Sequence, residues 1–492
     1  MKSQLHYVRI TNCFEIAWRM SLAVLAMLTL SAPIQTASAQ EQEGAIYVVQ
    51  EGDSLWEIAV RFRVSIDDLS QINGINDPSQ LGVGARLTIP GLEGIQGTLT
   101  TRTVGYGDNL RSLSRRYHLP IETLTQLNHI SSPAELFVGA SLVLLEENTA
   151  IEEKSRMLLT GGQTLLELSV INSTNPWTLA LENDLPSLWQ LASGYVLHSK
   201  ESETTSEVEV AGPSALPGEI HSITINPSLL VQGNTSVINI IAEEGTTFSG
   251  SLIDWELHFL ESDDGSLTAL QGIHAMTPPG LYALAITGTL PADAAGNRSS
   301  FAFSQAVLVT SGNYPFDPVL TVSPETIDPA VTAPEDAEWA AFSAPVTPAK
   351  QWEGSFTTPA PPPFSDCWPS RYGNRRSYNG STYSYFHSGL DFCGGVGVNI
   401  LAPAAGTVVF AGPMTVRGNA TMIDHGWGVY TGYLHQSEIL VKVGDKVTPG
   451  QVIGLVGGTG RVTGPHLHWE VWVGGVQVDP LEWLETVFPS VQ

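Results

Sequence analysis

Apolar and polar positions fall into a few distinct patterns along this chain, and the changes between them divide it. The first is an apolar run from Leu22 to Leu30, preceded by Lys2, Arg9 and Arg19. It is too short to span a bilayer. The second begins at Val48-Val49-Gln50-Glu51-Gly52-Asp53-Ser54-Leu55-Trp56-Glu57-Ile58-Ala59 and reads strand, helix, helix, strand. It then recurs. Gly52 and Gly107, Asn73 and Asn128, and Gly84 and Gly139 are each 55 positions apart. A fixed offset at three anchors marks an internal repeat. Two periods on from the first copy lie Gly162, Asn183 and Gly194, with Thr164-Leu165-Leu166-Glu167-Leu168 in place of Ser54-Leu55-Trp56-Glu57-Ile58. This predicts a third, degenerate copy over 156–199, with Gln163 where the first copy has Asp53. In the first two copies Gly-Asp before Ser or Asn forms a turn and a helix cap, with the acid at the helix start.

Residues 200–217 are polar and punctuated by Pro and Gly, and read as a linker. Beyond them, short strand-like runs alternate with turns: Ile220–Ile225, Val237–Ala242, Trp255–Phe259, Leu281–Thr287 and Phe301–Val309. Such spacing predicts an immunoglobulin-like β-sandwich over 218–312. Its histidines, His221, His258 and His274, read as surface or packed side chains. Residues 313–363 are Pro-rich with one helical patch, Glu335–Phe342. The last segment, 364–487, is rich in Val, Ile, Thr and Gly without helical periodicity, which predicts an all-β domain.

Charge and cysteine usage narrow the function classes. The net charge is −27, and positions 1–39 hold three bases and one acid, so the rest is more acidic still. This argues against nucleic acid and against anionic membrane surfaces. The basic start, the apolar run and Ala37-Ser38-Ala39 read as a signal peptide over 1–39. No later segment is long and apolar enough to cross a membrane, so the mature chain is expected to be secreted or held at the cell envelope. Cys13 lies in the signal, leaving Cys367 and Cys393. They form one disulfide if the compartment is oxidising, and are two buried thiols otherwise.

The candidate chemistry lies in the last domain. In Gly464-Pro465-His466-Leu467-His468-Trp469-Glu470 two histidines stand at i and i+2 of an apolar, strand-like run, so both project from one face. Upstream, His387-Ser388-Gly389-Leu390-Asp391 places a histidine and a carboxylate four apart. His387, Asp391 and His468 form a ligand set suited to one zinc ion with a position open to water. His466 then stands beside the metal without binding it.

Two family resemblances attach to these motifs. Residues 46–90 and 101–145 resemble LysM modules, which bind N-acetylglucosamine-containing glycans such as peptidoglycan. The resemblance implies glycan contacts at Gly52, Asp53, Ser54 and Leu55, and at Gly107, Asp108, Asn109 and Leu110. Asn76–Gly82 and Ser131–Phe137 would complete the two grooves. The last domain resembles the lysostaphin/LytM-type zinc metallopeptidases, the glycyl-glycine endopeptidase family, with a duplicated hybrid β-fold. The motifs are the two above, Ala402-Pro403 with Gly406-Thr407-Val408, Tyr433-Leu434-His435, and Gly444 and Val447 before Gly450-Gln451. The resemblance assigns zinc to His387, Asp391 and His468, and catalytic roles to His435 and His466. None of the five is substituted.

The expectation is a multidomain, secreted zinc endopeptidase that hydrolyses peptidoglycan peptides and is targeted by LysM modules. Two alternatives stand beside it. One is a non-catalytic peptidoglycan-binding or amidase-activating envelope protein, against which the intact five-residue set argues. The other is a secreted peptidase for glycine-rich proteins, against which the LysM pair argues.

Overall fold

The computed structural model describes residues 44–146 apart from 78–80 and 93, most of 155–199, and 214–489 apart from 293–295. The expected signal peptide and most of the 200–217 linker lie outside the described residues, as do Gly162 and Gly194. Among the described residues no helix is long and apolar enough to cross a membrane. The chain divides into two compact units at about Thr98.

In the first unit, strands Ala45–Val48 and Arg86–Thr88 pair antiparallel with Tyr47 opposite Leu87. Helices Leu55–Arg61 and Ile66–Asn73 lie between them in sequence. Ser54 and Glu57 cap the first helix reciprocally: each backbone N–H donates to the other side chain. Gly74 ends the second helix at φ 63°, where a Cβ is penalised. Tyr47, Leu55, Ile58, Leu69 and Leu87 form the small core.

The second unit repeats this plan twice and then changes class. Strands Gly97–Thr103 and Ser141–Leu145 pair antiparallel around helices Leu110–Arg116 and Ile121–Leu127. Strands Ser155–Leu158 and Val196–Ser199 do so around helices Leu165–Ile171 and Pro176–Glu182. Three asparagines account for part of the 55-residue offset. Asn128 donates to the carbonyls of Leu124 and Val143 and accepts from the Val143 N–H. Asn73 makes the same bonds to Leu69 and Thr88, and Asn183 to Leu179 and His198. Each amide ties a helix end to a strand, and an apolar isostere would orphan backbone groups.

A two-sheet sandwich follows. One sheet is built from Gly280–Thr289 between Thr247–Leu252 and Ser300–Thr310, with short edge strands outside them. The other centres on Thr235–Ala242 between Ile220–Asn226 and Leu267–Gly272. Ile220, Ile238, Ile240, Leu284, Ile286, Val307 and Val309 fill the space between. The second repeat docks on this sandwich. Val138 N–H donates to the Ala306 carbonyl, Gly107 N–H to Gln305 Oε1, and Ala215 N–H to the Gly107 carbonyl.

The extended segment after Thr310 leads into helix Pro329–Ser343, capped by Asp328. The helix starts at Pro329, not Glu335. Proline is well tolerated at the first helical position, and the internal Pro334 costs the helix one hydrogen bond without ending it.

The C-terminal domain is a twisted antiparallel sheet. Its strand order is Leu390–Phe392, Leu467–Val473, Val429–Gln436, Gly418–Asp424, Gly406–Met414 and Lys446–Val447, with Val476–Val478 pairing beside Leu467–Val473. A three-stranded sheet, Asn399–Leu401, Val452–Leu455 and Glu438–Ile439, joins it. Trp469, Tyr433, Leu390, Phe392 and Ile453 form its core. Cys367 and Cys393 are bonded, with Cα atoms 5.4 Å apart.

The sandwich and the C-terminal domain meet at Glu482, whose carboxylate accepts the Thr235 N–H at 2.8 Å. Burial pushes its carboxyl up to about 7, against the pull of that hydrogen bond. Between the ordinary carboxylate range and about 7 the folded state therefore binds more protons than the unfolded chain. Stability falls as pH rises through this window, by up to about 3 kcal/mol. Denaturant midpoints are expected to drop across it, and Glu482→Gln to flatten the slope. An unchanged slope in the variant would contradict this role.

Candidate metal centre and active site

Strand pairing builds the centre. Leu390–Phe392 and Leu467–Val473 run antiparallel with Asp391 opposite His468, and the next strand places Leu434 against His468 from the other side. Period-two alternation puts His466 on the His468 side of its strand. His387 enters from the preceding turn. Gly389 permits that approach: a Cβ there would lie 2.3 Å from the Trp469 carbonyl oxygen and 2.9 Å from His468 Nε2.

Three ligand atoms converge. His387 Nε2 lies 2.9 Å from Asp391 Oδ1 and 2.9 Å from His468 Nδ1, and His468 Nδ1 lies 2.8 Å from Asp391 Oδ1. All three residues are buried. The outer nitrogens are occupied. His387 Nδ1 donates to the Arg371 carbonyl at 2.8 Å, and His468 Nε2 faces Glu470 Oε1 at 3.4 Å. With those tautomers, three lone pairs point at one another, an arrangement that repels itself unless a cation sits within it. Burial lowers the His387 imidazole to about 4, against the attraction of Asp391. Burial would raise the Asp391 carboxyl, but the two histidines hold it well below the ordinary range. Burial opposes charge on His468 too, yet Asp391 and Glu470 outweigh it and raise its pKa. The trio attracts positive charge, and two imidazoles with one carboxylate suit zinc with a coordination position left open.

The other two histidines flank it. His435 Nδ1 donates to the Thr459 carbonyl at 2.8 Å, and His466 Nδ1 to the Gly464 carbonyl at 2.8 Å. Both keep Nε2 for other partners, and His466 Nε2 lies 3.5 Å from Asp391 Oδ1. The His435 ring centre is 5.2 Å from that of His466 and 6.0 Å from that of His468. His435 sits at φ 64°, a left-handed conformation that a non-glycine residue holds only where its surroundings enforce it. These five side chains border a cleft of about 500 Å³ also lined by Asp317, Leu320, Arg376 and Tyr378.

Other histidine, tyrosine and asparagine side chains of the domain stand apart from this set. His425 is buried, bonded to the Ala405 carbonyl and Thr431 Oγ1, and lies outside the cleft lining. Tyr433 is fully buried with its hydroxyl on Thr431 Oγ1. Asn374 donates to Asp317 Oδ1 and does not join the three ligands. Two residues absent from the sequence-derived set do touch it. Arg376 lies 3.6 Å from Asp391 Oδ2. Glu470 takes Ser388 Oγ at 2.7 Å and Gln477 Nε2 at 2.9 Å besides facing His468. Glu470 stands at i+2 from His468 and shares its face, a signal readable from the strand pattern; Arg376 carries none.

The expected glycan residues have different surroundings in the two copies. Gly52 and Ser54 are exposed, Asp53 is half-buried, and Leu55 is in the core. Asp53 Oδ2 accepts from Tyr47 Oη and Gln50 N–H, fixing the turn. In the second copy Gly107 and Asp108 are buried. A Cβ on Gly107 would lie 2.6 Å from Ser214 Oγ and 2.8 Å from Leu216 Cδ1. Asp108 pairs with Arg116 at 2.8 Å. Asn109 caps its helix by accepting from Ser112 N–H, and Leu110 begins that helix half-buried.

Comparison with known proteins gives the same outline. Residues 385–480 match Peptidase family M23, and residues 47–90 and 103–144 match the LysM domain. The chain is 47% identical over 96 residues to the peptidoglycan DD-endopeptidase ShyA of Vibrio cholerae, covering 20% of this chain and 22% of that protein. It is 44% identical over 95 residues to the DD-carboxypeptidase/endopeptidase Mpg of Neisseria meningitidis, covering 19% and 22%. The match thus spans about a fifth of the length of these curated relatives. Among solved structures, a putative peptidase M23 from Pseudomonas aeruginosa is 29% identical, covering 53% of this chain and 96% of that one, with a TM-score of 0.38. The mostly β C-terminal domain thus matches Peptidase family M23 over residues 385–480, and two segments nearer the N-terminus match the LysM domain.

Proposed function

We propose that this chain is a zinc-dependent endopeptidase that hydrolyses peptide cross-links of peptidoglycan outside the cytoplasm, held on its substrate by LysM glycan binding. The supporting observation is the buried convergence of His387, Asp391 and His468 with His435 and His466 beside them. The disulfide fits an oxidising compartment, and export by cleavage after residue 39 belongs to the same reading.

Bound zinc would bring the pKa of a water toward ~7 and polarise the scissile carbonyl. His387, Asp391 and His468 would hold it. His435 is uncharged at neutral pH, because burial and the adjacent His468 and His466 bring its imidazole down to about 3. Its Nε2 therefore offers a lone pair for a water proton. His466 is more accessible than His435, and its Nε2, beside Asp391, can donate to a developing oxyanion or a leaving amine once it has taken up a proton. The deciding experiment is digestion of purified sacculi with and without chelator, with mass spectrometry of the released muropeptides. Soluble muropeptides released only when zinc is present support the proposal. Intact sacculi under all conditions contradict it.

The glycan contacts divide unequally between the copies. The first copy's turn faces outward, while the second copy's turn is built into the sandwich contact. Asp53→Ala in the full chain is expected to weaken binding of N-acetylglucosamine oligomers roughly tenfold by loosening the turn. Asp108→Ala is expected to lower thermal stability and leave that affinity unchanged. Calorimetric titration of both variants tests this, and an affinity loss confined to Asp108→Ala would reverse the assignment.

A further inference from the structure

The geometry points to helix Pro329–Ser343 as the support that sets the catalytic centre, with Trp339 positioning His468 through Glu470 and Glu335 positioning His435 through residues 415–417. This rests on the reading of the centre given above. The helix lies outside the region matched to the peptidase family, residues 385–480.

Trp339 is fully buried and donates its indole Nε1–H to Glu470 Oε2 at 2.8 Å. Trp472 Nε1–H meets the same oxygen at 2.9 Å. The other carboxylate oxygen takes Ser388 and Gln477 and faces His468 Nε2. With donors on both oxygens the carboxylate plane is fixed, and so is the side of the His468 ring turned toward the ligand trio. Glycine in the neighbouring strand makes room for this contact: a Cβ on Gly432 would lie 2.8 Å from Trp339 Cζ2. A fully buried indole N–H needs an acceptor in any case, and the one Trp339 meets is the carboxylate that faces His468.

One turn earlier, Glu335 accepts three consecutive backbone N–H groups, from Thr415, Val416 and Arg417, at 2.7, 2.9 and 2.9 Å. The Arg417 guanidinium adds a bond at 3.2 Å and lies over the Trp339 ring at 5.3 Å. The carbonyl of Arg417 in turn accepts the His435 N–H at 3.0 Å. His435 is the residue held in the left-handed conformation, so its backbone needs an external brace. A single helix thus clamps a metal ligand and a catalytic histidine, and both are positioning contacts.

The test uses the full chain. Trp339→Phe keeps an aromatic side chain, smaller than the indole, and removes the donor. It is expected to weaken zinc about tenfold or more in competition with a chromogenic chelator, with kcat reduced and KM unchanged. Glu335→Gln is expected to leave zinc affinity at the wild-type value while kcat falls roughly tenfold through displacement of His435. The melting midpoint of each metal-free variant is measured alongside. If Trp339→Phe lowers only that midpoint and binds zinc as tightly as the wild type, the positioning role of Trp339 is refuted. Wild-type kcat in Glu335→Gln refutes the role of Glu335. A wild-type chain that takes up no zinc overturns the reading of the centre and this inference together.

Discussion

His468→Ala is expected to abolish release of muropeptides from purified sacculi, by at least about 10³-fold, and to take zinc binding with it. His468 is one of the three residues that could hold the ion, and its Nδ1 lies within 2.9 Å of His387 Nε2 and Asp391 Oδ1. Without it a cation would be left with one imidazole and one carboxylate, too few protein ligands for a stable catalytic zinc site. The loss also reaches backward. Burial would raise the Glu470 carboxyl, but its hydrogen bond and attraction to His468 lead the interactions that hold it at about 2. Removing the imidazole takes away the strongest of these, so the fold must be checked independently by circular dichroism. The readouts are bound zinc by elemental analysis and muropeptide release by chromatography. A variant that folds, carries no zinc and still cleaves at the wild-type rate would end the metallopeptidase reading.

What was legible in the sequence was what local geometry determines. Histidines at i and i+2 share a strand face whatever the rest of the fold does, so the side-by-side placement of His466 and His468 follows from their spacing alone. The repeat was legible because Asn128 and its counterparts serve backbone groups, and backbone geometry tolerates little substitution. Long-range packing was not legible. Trp339 and Glu470 are 131 positions apart, and nothing near Trp339 announces a carboxylate partner. Pro334 reads locally as a break, yet the helix continues through it, with Glu335 and Trp339 bonded to the C-terminal domain on its far side. Gly107-Asp108-Asn109-Leu110 looks like Gly52-Asp53-Ser54-Leu55 as text. Only docking against Ser214, Leu216 and Gln305 buries one turn and leaves the other open.

His435→Ala and His466→Ala are expected to separate binding from chemistry. Neither residue belongs to the ligand trio, so both variants are expected to hold zinc at wild-type stoichiometry. Each removes a group able to carry a proton or meet the oxyanion, so kcat is expected to fall about 10²–10⁴-fold. The two rings are 5.2 Å apart and face one site, so the double variant is expected to lose less than the product of the single losses. His435→Ala carries an added effect. Alanine at φ 64° pays the same backbone strain without the Thr459 bond that helps to hold it there. His435→Gly relieves that strain while still lacking the imidazole. If glycine restores stability but not turnover, the imidazole itself acts in catalysis. If glycine restores both, His435 serves only to brace its strand, and His466 is left as the single proton carrier beside the metal.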